Sequence, residues 1–303
     1  MIYEYALDPK VILKWLESED TATWLESLNG VGIGTPRFFS TFPSQKKRKF
    51  ISGLAKLRYE ITDQNIISRL DRLCEYLDKA GMFIRASEIF SGDEWHEKVI
   101  QSHNISPFKA IVTSNKLEVL EWLPPENVVY SQLWNLPSQI SFSRTTKDFL
   151  EKMSNFINST EKNLIIVDAY SWKENAITVI GKILNLFGNS SSLPLVKIYY
   201  KENRENCSPR VDHIKRQLMG VLKNNAKHLN ITIYQIKETD QSDAFHNRYI
   251  LNDLGGVHIG HGLDLSEKEN HTDEVTLLNR DIYMKRWKQF YYPDQFEILD
   301  KSE

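Results

Sequence analysis

The sequence predicts an α/β protein in which a mixed, mainly parallel sheet flanked by helices occupies the C-terminal half. Between residues 163 and 260, short apolar runs typical of buried strands alternate with amphipathic helical stretches, an order that favours parallel strands joined by right-handed crossovers. Before residue 145, most apolar residues recur at helical spacing and β-like pieces are few. We therefore expect a mainly helical (α+β) N-terminal domain at 1–145 and a second domain at 146–303.

The predicted elements of the N-terminal half are three helices and two short strands. Asp8 followed by Pro9 is typical of a helix start, because Asp caps the first turn and Pro fits within it. The other two helices are indicated by apolar residues at helical spacing, and the two strands lie between turn residues. The later helices are predicted at 47–57 and 63–80, and the strands at 110–113 and 127–130.

The C-terminal half is predicted to alternate helices and strands. The run Asn163-Leu-Ile-Ile-Val-Asp-Ala-Tyr170 suits a strand that is buried on both faces of a sheet. Ligands bind at the carboxyl ends of such strands, so Asp168 and Tyr170 are candidate ligand contacts. The other helices are predicted at 146–157, 176–187 and 211–228, and the other strands at 195–200, 231–236, 247–251 and 257–260.

Charge narrows the classes of function. The 303 residues include 38 basic and 40 acidic side chains, and a net charge of −2 argues against wholesale electrostatic capture of nucleic acid. A nucleic-acid site must therefore be local. Two basic clusters, at 46–49 and 285–288, could contact a phosphate backbone, although most such clusters are solvated faces.

Cysteine usage and the N-terminus bear on the cellular compartment. Cys74 and Cys207 are too few for a Cys-based zinc site, an iron–sulfur cluster or a disulfide framework. The N-terminus is acidic where a signal peptide is basic, and no run approaches the ~18 apolar residues of a membrane span. We expect a cytoplasmic protein without a transmembrane segment.

The segment from 245 to 264 has the residue types of a phosphate site. On an extended strand, His246 and Arg248 project from the same face, and Asp253 follows at the strand's end. Arg can hold phosphate oxygens in a fixed geometry, His can attack phosphorus or transfer protons, and a carboxylate can orient the His. Nearby glycines permit a tight turn and a close approach of the backbone.

The spacing His246-x-Arg248-x4-Asp253, with Gly260 after six further residues, resembles the H-x-K-x4-D-x6-G motif of the phospholipase D superfamily. The resemblance covers roughly the C-terminal half and implies a phospholipase D-like domain there. The whole chain also resembles uncharacterised bacterial proteins that open with a similar Tyr-Glu-Tyr-Ala-Leu-Asp-Pro segment and contain His-Asn-Arg-Tyr-Ile-Leu. The phospholipase D superfamily also includes the C-terminal domain of MIT-domain proteins. That domain has a similar Gly-x-Gly-Leu-Asp ending and binds membranes without catalysis.

The resemblance implies a phosphodiesterase or nuclease that needs no metal and no cofactor. His246 would form a phosphohistidine, a second His would protonate the leaving oxygen, and Arg248 would stabilise charge on the phosphoryl oxygens, with Asp253 matching the motif Asp. The superfamily pairs two motifs and this chain has one, so an active enzyme implies a homodimer. The expected substrate is nucleic acid, DNA or RNA, in a bacterial defence role, with the N-terminal domain selecting substrate or partner.

Two departures from the motif support an alternative. Arg248 stands where the family has Lys, and Gly260-His-Gly-Leu-Asp264 replaces a Gly-Ser-x-Asn-like ending, with His261 and Asp264 as the candidate substitutes. The alternative is an inactive module that binds phosphate groups of nucleic acid, nucleotide or phospholipid, or a subunit of a larger complex.

The sequence also allows simpler structural roles for these residues, or a metal site. His246 could be a structural histidine in a strand, and 253–256 an ordinary hairpin turn. Residues 30–34 are predicted to be a loop, because their glycine spacing differs from G-x-G-x-x-G. A metal site could draw on the histidines and aspartates gathered near the C-terminus, which are His246, His258, His261, His271, Asp253, Asp264 and Asp273.

Overall fold

The computed structural model describes residues 1–20, 22, 25, 28–85, 90–190, 192–202, 208–237 and 247–302. The protein is α/β and divides into two compact units, Ile2–Pro137 and Ser138–Glu303, each containing one sheet within its described part. The boundary predicted near residue 145 falls inside the second unit, because the strand that precedes it pairs with the C-terminal sheet.

A parallel sheet lies at the centre of the N-terminal unit. Its strands have the order β2-β1-β3-β4, and they are β1 (Tyr3–Leu7), β2 (Arg37–Phe39), β3 (Ala110–Val112) and β4 (Trp122–Leu123). The described helices of this unit are α1 (Pro9–Glu17), α2 (Lys47–Lys56), α3 (Gln64–Ala80) and α4 (Trp95–Ile105).

Successive residues of β1 are buried on opposite faces of this sheet. Tyr5 and Leu7 pack in an apolar cluster with residues of α1, α2 and α3. Ala6 packs in a second cluster that includes Val99 of α4. Helices therefore cover both faces, as expected for a parallel sheet.

Helix predictions succeeded in this unit better than strand predictions. The helices α1, α2 and α3 are confirmed, and the Asp8 side chain caps α1 by accepting from the Lys10 amide at 2.9 Å. Strand β3 is also confirmed, whereas β1, β2 and β4 were not predicted. The strand prediction at 127–130 is wrong, because Pro125–Tyr130 is a 3-10 helix in which Pro125 and Val128 are buried at one-turn spacing.

The C-terminal unit contains an eight-stranded mixed sheet of order β12-β8-β7-β6-β9-β10-β11-β5. The strands are β5 (Gln139–Arg144), β6 (Asn163–Val167), β7 (Leu195–Lys201), β8 (Asn230–Lys237), β9 (Tyr249–Asn252), β10 (Gly255–Ile259), β11 (Lys268–Leu277) and β12 (Glu297–Lys301). The described helices are α5 (Thr146–Asn158), α6 (Glu174–Asn185), α7 (Val211–Val221) and α8 (Arg280–Tyr291).

The mixed sheet corrects the expectation of a mainly parallel one. Among the described strands of this sheet, only β6, β7 and β8 pair in parallel, because helices connect them, whereas the short turn at 253–254 forces β9 and β10 to be antiparallel. The helix predicted at 211–228 ends at Val221, and residues 224–228 form a separate 3-10 turn after the extended Leu222.

Helices cover both faces of this sheet. A Cβ added to Gly255 would contact Phe156 of α5, whereas one added to Gly256 would contact Tyr283 of α8. Adjacent strand residues point to opposite faces, so α5 and α8 lie on opposite sides. On the α8 side, the Tyr199 hydroxyl donates to the Phe290 carbonyl at 2.6 Å. No helix in the described part of the chain is long and apolar enough to cross a membrane.

We expect Asp8→Ala to lower the free energy of unfolding of the N-terminal unit by about 2–3 kcal/mol. The variant loses the cap of α1 and also removes the acceptor of the buried Thr113 hydroxyl, which lies 2.7 Å from Asp8. Asp63, the exposed cap of α3, is the matched control, and Asp63→Ala should cost only about 0.5–1 kcal/mol.

The measurement is a urea titration followed by tryptophan fluorescence, since five of the seven tryptophans lie in this unit. Equal losses in the two variants would show that the bond to Thr113 adds nothing.

Candidate functional site

Antiparallel pairing of β9 with β6 brings two charged side chains to one edge of the C-terminal sheet. Val167 of β6 pairs with Tyr249 of β9. Asp168 follows β6 directly and Arg248 precedes β9 directly, so both lie where the parallel strands end. The name Arg248 edge is used below for Asp168, Tyr170, Lys173, Arg248 and the loop 260–264.

Arg248 is held by a carbonyl and a carboxylate. Its Nη1 donates to the Gly260 carbonyl at 3.0 Å, and its Nε lies 3.8 Å from a carboxylate oxygen of Asp168. Nε is buried and has no hydrogen-bond partner among the described residues. The side chain is 24% exposed, so it is largely covered but still reaches solvent.

Asp168 is a buried carboxylate with a structural role. One oxygen accepts from the Tyr170 amide at 2.9 Å and the other from the Leu263 amide at 2.8 Å. Burial raises the pKa of Asp168, while these two hydrogen bonds and the charge of Arg248 act in the opposite direction. The carboxylate thereby joins the loop after β6 to the loop after β10.

Gly262 is required where the loop 260–264 passes this pair. Its φ of +80° lies in the left-handed region, which disfavours residues with a Cβ. A Cβ at this position would lie 2.3 Å from Cδ of Arg248 and 2.4 Å from Oδ2 of Asp168. The second glycine of Gly-His-Gly therefore allows the backbone to approach both side chains.

Tyr170 lies between two cations at the same edge. The ring centre is 5.2 Å from Nζ of Lys173 and 5.9 Å from Cζ of Arg248, and both distances lie within the range of cation–π contacts. Lys173 also forms an ion pair with Asp264 at 2.7 Å, and Asn175 Nδ2 lies 3.4 Å from the other oxygen of Asp264. Asp264 thus ties the loop to the start of α6.

His261 is paired with a buried carboxylate. Its Nδ1 lies 3.1 Å from Oδ1 of Asp273, and its backbone amide donates to Oδ2 at 2.9 Å. The imidazole is 67% exposed, whereas the Asp273 side chain is 2% exposed. A Cβ on Gly260 would lie 2.5 Å from Asp273 Oδ1, so this glycine is needed for the close approach.

The structure gathers most of the predicted site residues and separates one. Gly260, His261, Asp264, Asp168 and Tyr170 all lie at the Arg248 edge, as described above. Asp253 lies in the turn beyond β9, about 17 Å of extended chain from Arg248. His246 lies outside the described residues.

Asp253 has well-defined partners at the far end of β9. Its carboxylate accepts from the backbone amides of Lys162 and Asn163, at 2.7 and 2.9 Å, and from the Asn163 side chain. The carboxylate therefore stabilises the start of β6 and does not join Arg248 in one site.

Three contributors to the edge were missed as site residues by the sequence analysis. Lys173 and Asn175 come shortly after β6 and Asp168. The rule that ligands bind at the carboxyl ends of strands could therefore have identified them. Asp273 was considered only as a metal ligand. Its contact with His261 depends on the β10–β11 register, for which the sequence contains no local signal.

The metal hypothesis lacks a donor set in the described part of the chain, where no three His, Cys, Asp or Glu side chains gather as a metal-binding group. Cys74 is a half-buried free thiol whose pKa burial raises to about 11, and Cys207 lies outside the described residues. Residues 30–34 form turns before β2, which confirms the predicted loop.

Parts of both basic clusters contact other residues of the protein. Lys47 forms an ion pair with Asp78 at 3.5 Å. Cζ of Arg286 lies 5.5 Å from the ring centre of Tyr249 in β9. These two side chains thus have structural contacts within the protein.

The pKa of His258 predicts how the stability of the protein depends on pH. Burial and the nearby charge of Arg248 lower the pKa of this imidazole below its ordinary value of 6.5, although Asp273 acts in the opposite direction. Because the folded state disfavours protonation, the contribution of His258 to stability is full above about pH 6.5 and declines as the pH falls below it.

Between about pH 7.5 and pH 5.5, the melting temperature should therefore fall less in His258→Gln than in the original protein. His271, an exposed histidine of β11, provides the control, and His271→Gln should behave like the original protein. An unchanged slope in His258→Gln would contradict the prediction.

Gly262→Ala should lower the free energy of unfolding of the C-terminal unit by about 2–4 kcal/mol, because the new Cβ combines backbone strain with overlap on Arg248 and Asp168. Among the described residues, no neighbouring atom lies within 4 Å of a Cβ added to Gly220 on α7, so Gly220→Ala should instead raise stability by about 0.5–1 kcal/mol. Chemical denaturation of both variants tests the difference in sign.

Comparisons with known proteins do not assign a family. No protein-family model matches the chain, and no curated protein matches it. Among solved structures, the chain is similar to TrmBL2, described as an archaeal chromatin protein with a novel mode of DNA binding, at 12% identity and a TM-score of 0.32. The match covers 83% of this chain and 70% of that chain. A similarity at this TM-score assigns neither fold nor function.

Proposed function

We propose that the C-terminal unit is a phospholipase D-like phosphodiesterase that cleaves nucleic acid without a metal ion. The observation that carries this proposal is the position of Arg248, whose guanidinium lies at the edge where the parallel strands end, two residues after His246 in the chain. Phosphate ligands commonly bind at this edge of α/β sheets, and Arg suits phosphate oxygens.

The local charges and rings also suit a nucleotide phosphate. Among the described residues, Arg248 Nη1 donates to the Gly260 carbonyl and Nε lies 3.8 Å from Asp168, so Nη2 is the donor that we assign to a phosphate oxygen. Lys173, which is paired with Asp264, is a second cation at this edge, and Tyr170 is 38% exposed beside both cations. An exposed aromatic ring offers a stacking surface for a base, which favours nucleic acid over a lipid headgroup.

In the proposed reaction, the His246 imidazole attacks phosphorus and Arg248 stabilises the charge that develops on the phosphoryl oxygens. The bond from phosphorus to the leaving oxygen breaks as the phosphohistidine forms, and a second histidine protonates that oxygen. Water then attacks phosphorus, the bond between phosphorus and His246 breaks, and the cleaved phosphate ester leaves. Since one chain contains one motif, the proposal includes a homodimer, with a bacterial defence role as its biological setting and the N-terminal unit selecting the substrate or partner.

A second candidate function is phosphate recognition without cleavage, by a module that binds nucleic acid, nucleotide or phospholipid or belongs to a larger complex. Two observations favour it. His261 and Asp264 are the candidate substitutes for the hydroxyl and the amide of the family's ending, and both are already paired, with Asp273 and Lys173 respectively. Arg248 is already paired with Asp168, which weakens its hold on a reacting phosphoryl group.

The test is incubation of the protein with end-labelled DNA and RNA in EDTA. We expect cleavage by the original protein, none by His246→Ala, and a fall of about 100-fold or more in Arg248→Ala, the typical effect of losing one transition-state donor. Arg280, an exposed arginine of α8, provides the matched control, and Arg280→Ala should cleave normally.

Other results lead to different conclusions. Cleavage that EDTA abolishes would contradict the metal-independent mechanism. Absence of cleavage, with oligonucleotide binding that Arg248→Ala removes, would support the second candidate instead.

A further inference from the structure

We infer that His261, oriented by Asp273, is the acid and base that transfers protons in the proposed phosphodiester cleavage. This inference rests on the proposed function, and it assigns to His261 of the same chain the role for which the superfamily motif uses a second histidine, so a partner chain need not supply that residue. Three features of the structure support it: the orientation of the imidazole, its exposure, and the hydrogen bond that joins Arg248 to the residue before His261.

The orientation comes from a carboxylate that can only accept hydrogen bonds when ionised. Asp273 Oδ1 lies 3.1 Å from Nδ1 of His261, so the neutral imidazole donates its Nδ1 proton there. Oδ2 accepts from the His261 amide, and Oδ1 also accepts from the Glu274 amide at 2.8 Å. These bonds hold the carboxylate and leave Nε2 as the nitrogen that exchanges protons.

The pair combines a buried partner with an exposed reactive atom. The Asp273 side chain is 2% exposed, and the imidazole is 67% exposed. The backbone amides of His261 and Glu274 would hold the carboxylate without an imidazole at residue 261. The side chain of His261 is therefore unnecessary for the fold of the loop, and its contact with Asp273 orients a group that faces solvent.

The backbone links the pair to Arg248. Gly260, whose carbonyl accepts from Arg248 Nη1, immediately precedes His261. The close approach of Gly260 to Asp273 and of Gly262 to Arg248 leaves no room for a Cβ at either position. The glycines before and after His261 thus allow the loop to place His261 at the same edge as Arg248.

The proton steps balance as follows. As the nucleophile forms its bond to phosphorus, the bond from phosphorus to the leaving oxygen breaks, and that oxygen takes the proton from Nε2 of the protonated His261. In the second step Nε2, now neutral, takes a proton from the water that attacks phosphorus, and the bond between phosphorus and the nucleophile breaks. Asp273 compensates the positive charge of the imidazole whenever Nε2 is protonated.

The experiment compares two substrates in EDTA, a DNA oligonucleotide and bis(p-nitrophenyl) phosphate. An alkoxide leaving group needs a proton from a general acid, whereas p-nitrophenolate leaves without one. We expect His261→Asn to reduce cleavage of the oligonucleotide at least about 100-fold, and cleavage of the p-nitrophenyl ester less than about tenfold. Asp273→Asn should show the same dependence on leaving group with a smaller loss.

His271→Asn is the control, because His271 is exposed on the same strand as Asp273 and should leave both rates unchanged. Equal losses on the two substrates, or no loss in His261→Asn, would overturn the role of the pair while leaving the proposed function intact. If the original protein cleaves neither substrate, the proposed function and this inference fail together. Equal melting temperatures of the variants would exclude unfolding as the cause of a loss.

Discussion

The buried carboxylate of Asp168 is the interaction on which the Arg248 edge depends. Removing a charge from water costs several kcal/mol unless donors replace the water. Here the amides of Tyr170 and Leu263 and the guanidinium of Arg248 provide that compensation. The loops after β6 and β10 are joined as a result, and Gly262 is needed because no Cβ fits between the two charged side chains.

This arrangement restricts the chemistry available at the edge. Arg248 has a fixed position and is partly neutralised by Asp168, so a phosphate bound as proposed would contact the donors of Arg248 that remain. His261 has the opposite character, because a buried carboxylate orients it while its outer nitrogen faces solvent. Under the proposed function, the distinction between cleavage and recognition would therefore depend on proton transfer by His261 more than on the charge of Arg248. A net charge of −2 for the chain is compatible with either function, since the relevant charges are local.

Elements with strong local signals were predicted well, and elements that depend on pairing were not. Helix α1 was recognisable from Asp8 and Pro9, and α3 from apolar residues at helical spacing. Strand β1 is only five residues long and became identifiable through its pairing with β2 and β3. Residues 127–130 have a strand-like composition but belong to the 3-10 helix Pro125–Tyr130, in which Pro125 and Val128 are buried. Here tertiary packing overrides the local strand propensity.

The alternation of helices and strands in the C-terminal half, the His-x-Arg spacing and the position of Asp168 at a strand end could be predicted from the amino-acid sequence. These features depend on neighbours within a few residues, so periodicity reveals them. Which charged groups meet could be learned from the folded structure alone. The β6–β9 pairing brings Arg248 to Asp168, the β10–β11 register brings Asp273 to His261, and the length of β9 carries Asp253 to the opposite end. Register joins residues distant in the chain, and no local pattern encodes it.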